Sequence, residues 1–151
     1  MSTFYHVCFT TPDLTATMGD LTRSAGLTWQ PPVEGRLADW DYRMAFTAGG
    51  SPFIELIETD PGGPWGDTST PGFHHLGFWT SDLTAGRTRL NSQGYPEAFS
   101  GCPYGRAFAY HRLNSLGGHI ELVDLTRQSA FLQNWNPDGQ PMPAIDESSL
   151  A

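Results

Sequence analysis

The chain has 151 residues, 13% of them aromatic, and a formal net charge of −8. That length supplies one ordinary domain with a real core. All eight cations are arginine, which excludes Schiff-base chemistry, a lysine base and a phosphate-loop lysine together, and with no basic cluster, nucleic acid and anionic membranes are poor partners.

Residues 4–10 alternate as a strand, with Phe4, His6, Cys8 and Thr10 on one face. Thr11-Pro12-Asp13 then starts a helix running to about residue 24, with Leu14, Met18 and Leu21 as its apolar stripe and Gly26 as its stop. A short strand is expected over 27–30, halted by Pro31-Pro32. Strands follow over 38–47 and 52–58, joined by Ala48-Gly49-Gly50-Ser51. A Gly/Pro/Asp/Ser/Thr-rich linker covers 60–72. The second part of the chain reads in the same order: a strand over 73–80, a helix capped by Asp82 and reaching about 92, then strands over 97–102, 106–113 and 119–124. A short helix is expected over 128–135, and the Pro/Asp/Ser-rich end, 136–151, is expected to fray or drape over the surface.

Two pairs of segments repeat. His6-Val7-Cys8-Phe9-Thr10-Thr11-Pro12-Asp13-Leu14-Thr15-Ala16 matches the segment from His75 to Ala85 at an offset of 75 − 6 = 69. Phe53-Ile54-Glu55-Leu56-Ile57-Glu58 matches His119-Ile120-Glu121-Leu122-Val123-Asp124 at an offset of 121 − 55 = 66. Each copy is therefore strand–helix–strand–strand–strand, with one histidine near its start and one glutamate near its end. A carboxylate between large apolar residues is costly unless a cation or hydrogen bond meets it. A lone strand histidine or glutamate carries little information, but both types recur at equivalent positions of both copies. If the halves pair about a pseudo-two-fold axis, His6, Glu55, His75 and Glu121 converge. Two imidazoles and two carboxylates suit a divalent transition metal and leave positions open for water or substrate.

Tyr5-His6-Val7-Cys8-Phe9, the Glu55 segment, His74-His75-Leu76-Gly77-Phe78 and Gly118-His119-Ile120-Glu121-Leu122 resemble the vicinal oxygen chelate superfamily, which includes glyoxalase I, methylmalonyl-CoA epimerase, bleomycin-resistance proteins and extradiol dioxygenases. The resemblance covers about residues 4–125. It implies an α+β fold of two paired βαβββ modules forming a cup-shaped mixed sheet around one metal, held here by His6, Glu55, His75 and Glu121. Of the doublet, alignment with His6 selects His75, leaving His74 a structural role on the opposite face. The expected organisation is a single domain over 1–126 (modules 1–59 and 73–126, linker 60–72) and a tail over 127–151.

The implied chemistry is proton transfer beside a metal-bound carbonyl, with Ni, Co, Zn, Mn or Fe as the ion. Glu121 is the expected base, and His119, on the same face, a second acid–base group. Cys8 shares the His6 face and lines the site or simply packs. Glu58 and Asp124 point away and are expected to be solvated. Trp40, Trp65, Trp79 and Tyr110 are expected to line or cover the cup, which suits a small neutral or aromatic substrate. The reading is an isomerase or lyase; an iron-dependent dioxygenase of the same fold and a non-catalytic antibiotic-binding protein are the alternatives. Cys8 and Cys102 make no disulfide framework. With no signal-peptide pattern and no apolar run of about 20 residues, a cytoplasmic protein is expected. A homodimer is the expected assembly, the modules pairing within a chain or swapping between chains.

Overall fold

In a computed structural model describing residues 2–150, the chain opens with β1 (Phe4–Thr10), α1 (Leu14–Ala25), β2 (Val33–Leu37), β3 (Trp40–Phe46) and β4 (Phe53–Thr59). The order repeats with β5 (Gly72–Thr80), α2 (Leu83–Ser92), β6 (Glu97–Ser100), β7 (Phe108–Leu113) and β8 (Gly118–Asp124), followed by α3 (Gln128–Trp135) and α4 (Glu147–Leu150). The strands form one mixed sheet in the order β2-β3-β4-β1-β5-β8-β7-β6. This is the expected α+β architecture of two βαβββ units in a curled sheet.

The order is symmetric about the antiparallel β1–β5 pair, through which the halves of one chain meet. Each of these strands has a parallel partner from its own half, and the register repeats. His6 lies opposite Phe53 and Cys8 opposite Glu55; His75 lies opposite His119 and Gly77 opposite Glu121. The three-residue difference between the two sequence offsets is thus absorbed in the connections and leaves the pairing unchanged.

The helices start by the same device. Asp13 Oδ1 accepts from Ala16 N–H and Asp82 Oδ1 from Ala85 N–H, both at 3.0 Å, satisfying donors that a helix leaves free. A second acid assists each. Glu58 Oε2 accepts from Leu14 N–H at 2.7 Å, and Asp124 Oδ2 from Leu83 N–H at 3.3 Å. These two carboxylates, expected to be solvated, instead tie the end of each last strand to its helix.

The strand expected over 27–30 is only an isolated bridge from Trp29 to Thr47. The edge strand forms after the proline pair, as Val33-Glu34-Gly35-Arg36-Leu37, of which only Leu37 is buried. An edge strand with little to bury shows no apolar alternation, which is why composition hid it. Gly101 to Gly105, containing a single 3₁₀ turn, likewise shortens the two strands expected over 97–102 and 106–113.

One core cluster joins Tyr5, Phe46, Phe53, Trp79, Trp135 and Met142, with Phe131 packed against it, and so buries the sheet under α3. A second lies beneath α2 and contains Leu83, Leu90, Ala109 and Leu122, with Ile145 from the tail beside it. The tail does not fray over the described residues. Gln128 clamps the Met142 backbone through two 3.0 Å bonds. Ile145 N–H donates to Trp79 O at 2.8 Å and Ser81 N–H to Ile145 O at 2.9 Å. No helix of the described residues is long and apolar enough to cross a membrane.

Candidate functional site

The central strands β1 and β5 and their parallel partners β4 and β8 each send one side chain to a common point. His6 Nε2 lies 2.8 Å from His75 Nε2. It is 3.4 Å from Glu55 Oε1 and 3.4 Å from Glu121 Oε1. His75 Nε2 is 3.3 Å from Glu55 Oε1 and 3.6 Å from Glu121 Oε1. All four residues are buried. The structure therefore brings together the four side chains that the duplication singles out.

This donor set fits a divalent cation. Bonds of about 2.1 Å around a tetrahedral ion place ligand atoms about 3.4 Å apart, which is the scale of the four imidazole–carboxylate separations here, and His6, His75 and Glu121 bring donor atoms within 4.8 Å of one another. Two buried carboxylates would be costly unpaired, and among the described ion pairs neither Glu55 nor Glu121 has an arginine partner. Burial works against ionisation of Glu55, but hydrogen bonds from His6 and His75, and their charge, outweigh it and hold its carboxyl well below the usual range. Burial, then the charge of Glu55, pushes Glu121 well above it. One carboxyl thus keeps its charge at the expense of the other. Burial, the largest influence, also depresses His75, to about 4.

The His6 ring lies over Gly77. A Cβ on Gly77 would sit 1.9 Å from His6 Cε1, so the residue must be glycine for the ring to reach the cluster. At the equivalent position of the first half stands Cys8, fully buried, whose sulfur lies with donor atoms of Glu55 and His75 within 4.8 Å of one another. Cys8 thus lines the site. Burial, then Glu55, raises its thiol well above the ordinary value.

His74, expected to face away, is buried and touches the site from behind. Its Nδ1 is 2.7 Å from His75 Nδ1, and its Nε2 is 3.3 Å from Pro64 O. Burial lowers it to about 3. His119 is not among the four clustered residues. Its ring stacks on His74 with centroids 4.7 Å apart, and its Nδ1–H donates to His74 O at 3.1 Å.

Above the cluster opens a cavity of about 140 Å³. Glu55 and Glu121 line it together with Leu37, Tyr42, Met44, Ile57, Trp65, Phe108, Tyr110 and Arg106. Trp65 Nε1–H donates to Tyr110 Oη at 3.1 Å and fixes one wall. Arg106 reaches across from the second half to Tyr42 Oη at 3.2 Å and Arg36 O at 2.8 Å. Trp40 packs behind this wall, against its aromatic cluster. Trp79, expected to line the cup, instead stacks on Tyr5 at 4.4 Å in the core under α3.

The profile of the Glyoxalase/Bleomycin resistance protein/Dioxygenase superfamily matches residues 5–112. No curated protein sequence matches the chain. Among solved structures, a variant of methylmalonyl-CoA epimerase from Streptomyces coelicolor in complex with 2-nitronate-propionyl-CoA is 17% identical, with a TM-score of 0.60 over 82% of this chain and 97% of the other. Methylmalonyl-CoA epimerase from Mycobacterium tuberculosis is 22% identical, with a TM-score of 0.59 over 80% and 86%. A hypothetical protein from Bacillus halodurans is 14% identical, with a TM-score of 0.61 over 80% and 92%. At these identities the likeness establishes the fold.

Proposed function

Because the chain belongs to the Glyoxalase/Bleomycin resistance protein/Dioxygenase superfamily, we propose that it is a metal-dependent isomerase or lyase that moves a proton beside a carbonyl of a small neutral or aromatic molecule. The observation that carries this reading is the set of separations between 2.8 and 3.6 Å linking two imidazoles and two carboxylates beneath an aromatic-walled cup. When bound, a divalent ion, one of Ni, Co, Zn, Mn or Fe, would supply a Lewis acid there, making the carbon next to a carbonyl more acidic.

His6, His75, Glu55 and Glu121 would hold that ion, with Glu55 the carboxylate engaged at 3.4 and 3.3 Å by both rings. Glu121, at 3.4 and 3.6 Å from them, lines the cup and takes and returns the proton. His119 supports the site from behind, through His74. Trp65, Phe108 and Tyr110 present flat apolar surfaces to the substrate and keep water from the reacting carbon. A cavity of about 140 Å³ is worth about five waters at ~30 Å³ each, so it receives a small reacting group.

Metal analysis of protein purified without added metal comes first, followed by α-proton exchange in D₂O on a panel of small ketones and thioesters. One divalent ion per chain and metal-dependent exchange are expected. Glu121→Gln should keep the ion and lose exchange by about 100-fold or more. Iron with oxygen uptake in place of exchange would reassign the chain to dioxygenase chemistry. Metal-free protein that binds aromatic compounds without turnover would reassign it to sequestration.

A further inference from the structure

Five of the eight arginines, Arg23, Arg36, Arg43, Arg87 and Arg89, pair with carboxylates. Arg106 has no carboxylate partner among the described residues, although acids outnumber arginines 16 to 8. Both of its acceptors are uncharged: Nη1–H donates to Tyr42 Oη at 3.2 Å and Nη2–H to Arg36 O at 2.8 Å. It is also the one cation among the residues that line the cavity above Glu55 and Glu121. The local backbone holds it there. Gly101 N–H donates to Phe108 O at 2.9 Å and Arg106 N–H to Gly101 O at 3.0 Å, closing residues 101–108 into a compact arm. A Cβ on Gly101 would meet the Phe108 ring at 2.4 Å and Arg106 Cβ at 2.8 Å, so only glycine lets the arm fold this tightly. Across the mouth, a Cβ on Gly35 would lie 2.3 Å from Tyr42 Cζ, so glycine there lets the Tyr42 ring lie against β2 and meet the guanidinium.

We propose that Arg106 determines specificity by taking a carboxylate of the substrate, at the end of the molecule opposite its reacting carbonyl. This rests on the reading of the site given above and narrows it, from a small neutral or aromatic molecule to an aromatic acid. A guanidinium presents five N–H donors in a planar fork that matches two carboxylate oxygens. A charge-assisted pair of that kind is stronger than bonds to a phenol and an amide oxygen. The substrate carboxylate therefore displaces Tyr42 Oη and Arg36 O, and a clasp between the two halves becomes a bond to the ligand. The cavity joins the buried Glu55 and Glu121 to Arg106 at the surface. Its walls include Trp65, Phe108 and Tyr110, which suit a flat ring between two polar ends. The charges agree. Glu55 opposes an anion in the metal-free cup, whereas a divalent ion offsets the carboxylates and leaves Arg106 as the surplus charge.

4-Acetylbenzoate and 4-acetylbenzamide test this, since they share a ketone and a ring and differ at the opposite end in charge. Their dissociation constants are measured by calorimetry on Co²⁺-loaded and on metal-free protein. The acid should bind at least about tenfold more tightly than the amide. Arg106→Gln should abolish that preference and leave the amide within about threefold, with folding checked by circular dichroism. Tyr42→Phe breaks the clasp but keeps the guanidinium, and should retain the preference. Equal binding of acid and amide by the unaltered chain, binding of neither, or a preference that survives Arg106→Gln overturns the proposal. So does a preference lost in Tyr42→Phe, or an equal loss of both ligands in Arg106→Gln, which would leave Arg106 a clasp alone. An Arg106-dependent preference in a chain that takes up no Co²⁺ and exchanges no α-proton of 4-acetylbenzoate in D₂O would uphold the assignment and overturn the isomerase or lyase reading instead.

Discussion

His6 reaches its partners only because the strand beside it has no side chain at one position. With 1.9 Å between His6 Cε1 and a Cβ built on Gly77, Gly77→Ala must push the ring aside or spread β1 from β5. Divalent affinity should fall at least about tenfold, read by calorimetry, and thermal stability should fall with it, because overpacking in a tight interior costs about 1–3 kcal/mol. Cys8→Ala, at the equivalent position of the other half, shortens a side chain and should leave Co²⁺ affinity within about threefold. The four clustered residues are legible in the sequence because the duplication marks them, each histidine and each glutamate vouching for its counterpart. Gly77 and His74 are not. One acts through a missing atom, and the other meets a carbonyl ten positions back in the chain, Pro64 O; neither relation leaves a pattern in the chain.

The repeated Asp-Leu-Thr-Ala segments are read correctly as helix starts because cap chemistry is local. The second acid at each start is not local. Glu58 comes from a strand 44 positions away, and alternation alone places its carboxyl in water. Glu58→Ala removes a 2.7 Å bond to Leu14 N–H and should cost about 1 kcal/mol in urea unfolding, with divalent affinity unchanged. The tail misleads for a similar reason: its composition describes a loose end, while its anchors are single residues spaced along it. Glu147 accepts from Arg89 Nε–H at 2.8 Å and from Thr80 Oγ1–H at 2.7 Å, and is 4% exposed. Glu147→Ala strands the guanidinium of a side chain only 14% exposed. Breaking a buried pair costs about 3 kcal/mol or more, so the melting temperature should drop about 6–12 °C. A change under 2 °C would mean that the tail contributes little to the fold.

Across the whole molecule, the same burial that assembles the site makes the metal-free chain sensitive to acid. His74 and His75, lowered by burial to about 3 and about 4, stay neutral when folded and regain ordinary values near 6.5 when unfolded. The unfolded chain therefore binds more protons below pH 6.5, and stability falls as pH falls, most steeply between about 6 and 4. Each imidazole contributes up to about 1.4 kcal/mol per pH unit in that window. Glu55, held low chiefly by the hydrogen bonds from His6 and His75 that override its burial, acts in the same direction at lower pH. Glu121 acts in the opposite direction: its carboxyl is raised by burial and by Glu55, so the stability it contributes in acid is lost as pH rises through its folded value. The metal-free protein should therefore show a restricted pH range of maximal stability, recorded by chemical denaturation from pH 4 to 8. At neutral pH a divalent ion should remove the Glu121 penalty by favouring its ionised form, and should add about 2.7 kcal/mol at a hundredfold excess over Kd. Loaded protein should thus be more stable than metal-free protein at pH 7 and should lose that advantage toward pH 4, where protons displace the ion. An advantage that does not depend on pH would place the ion away from these four residues.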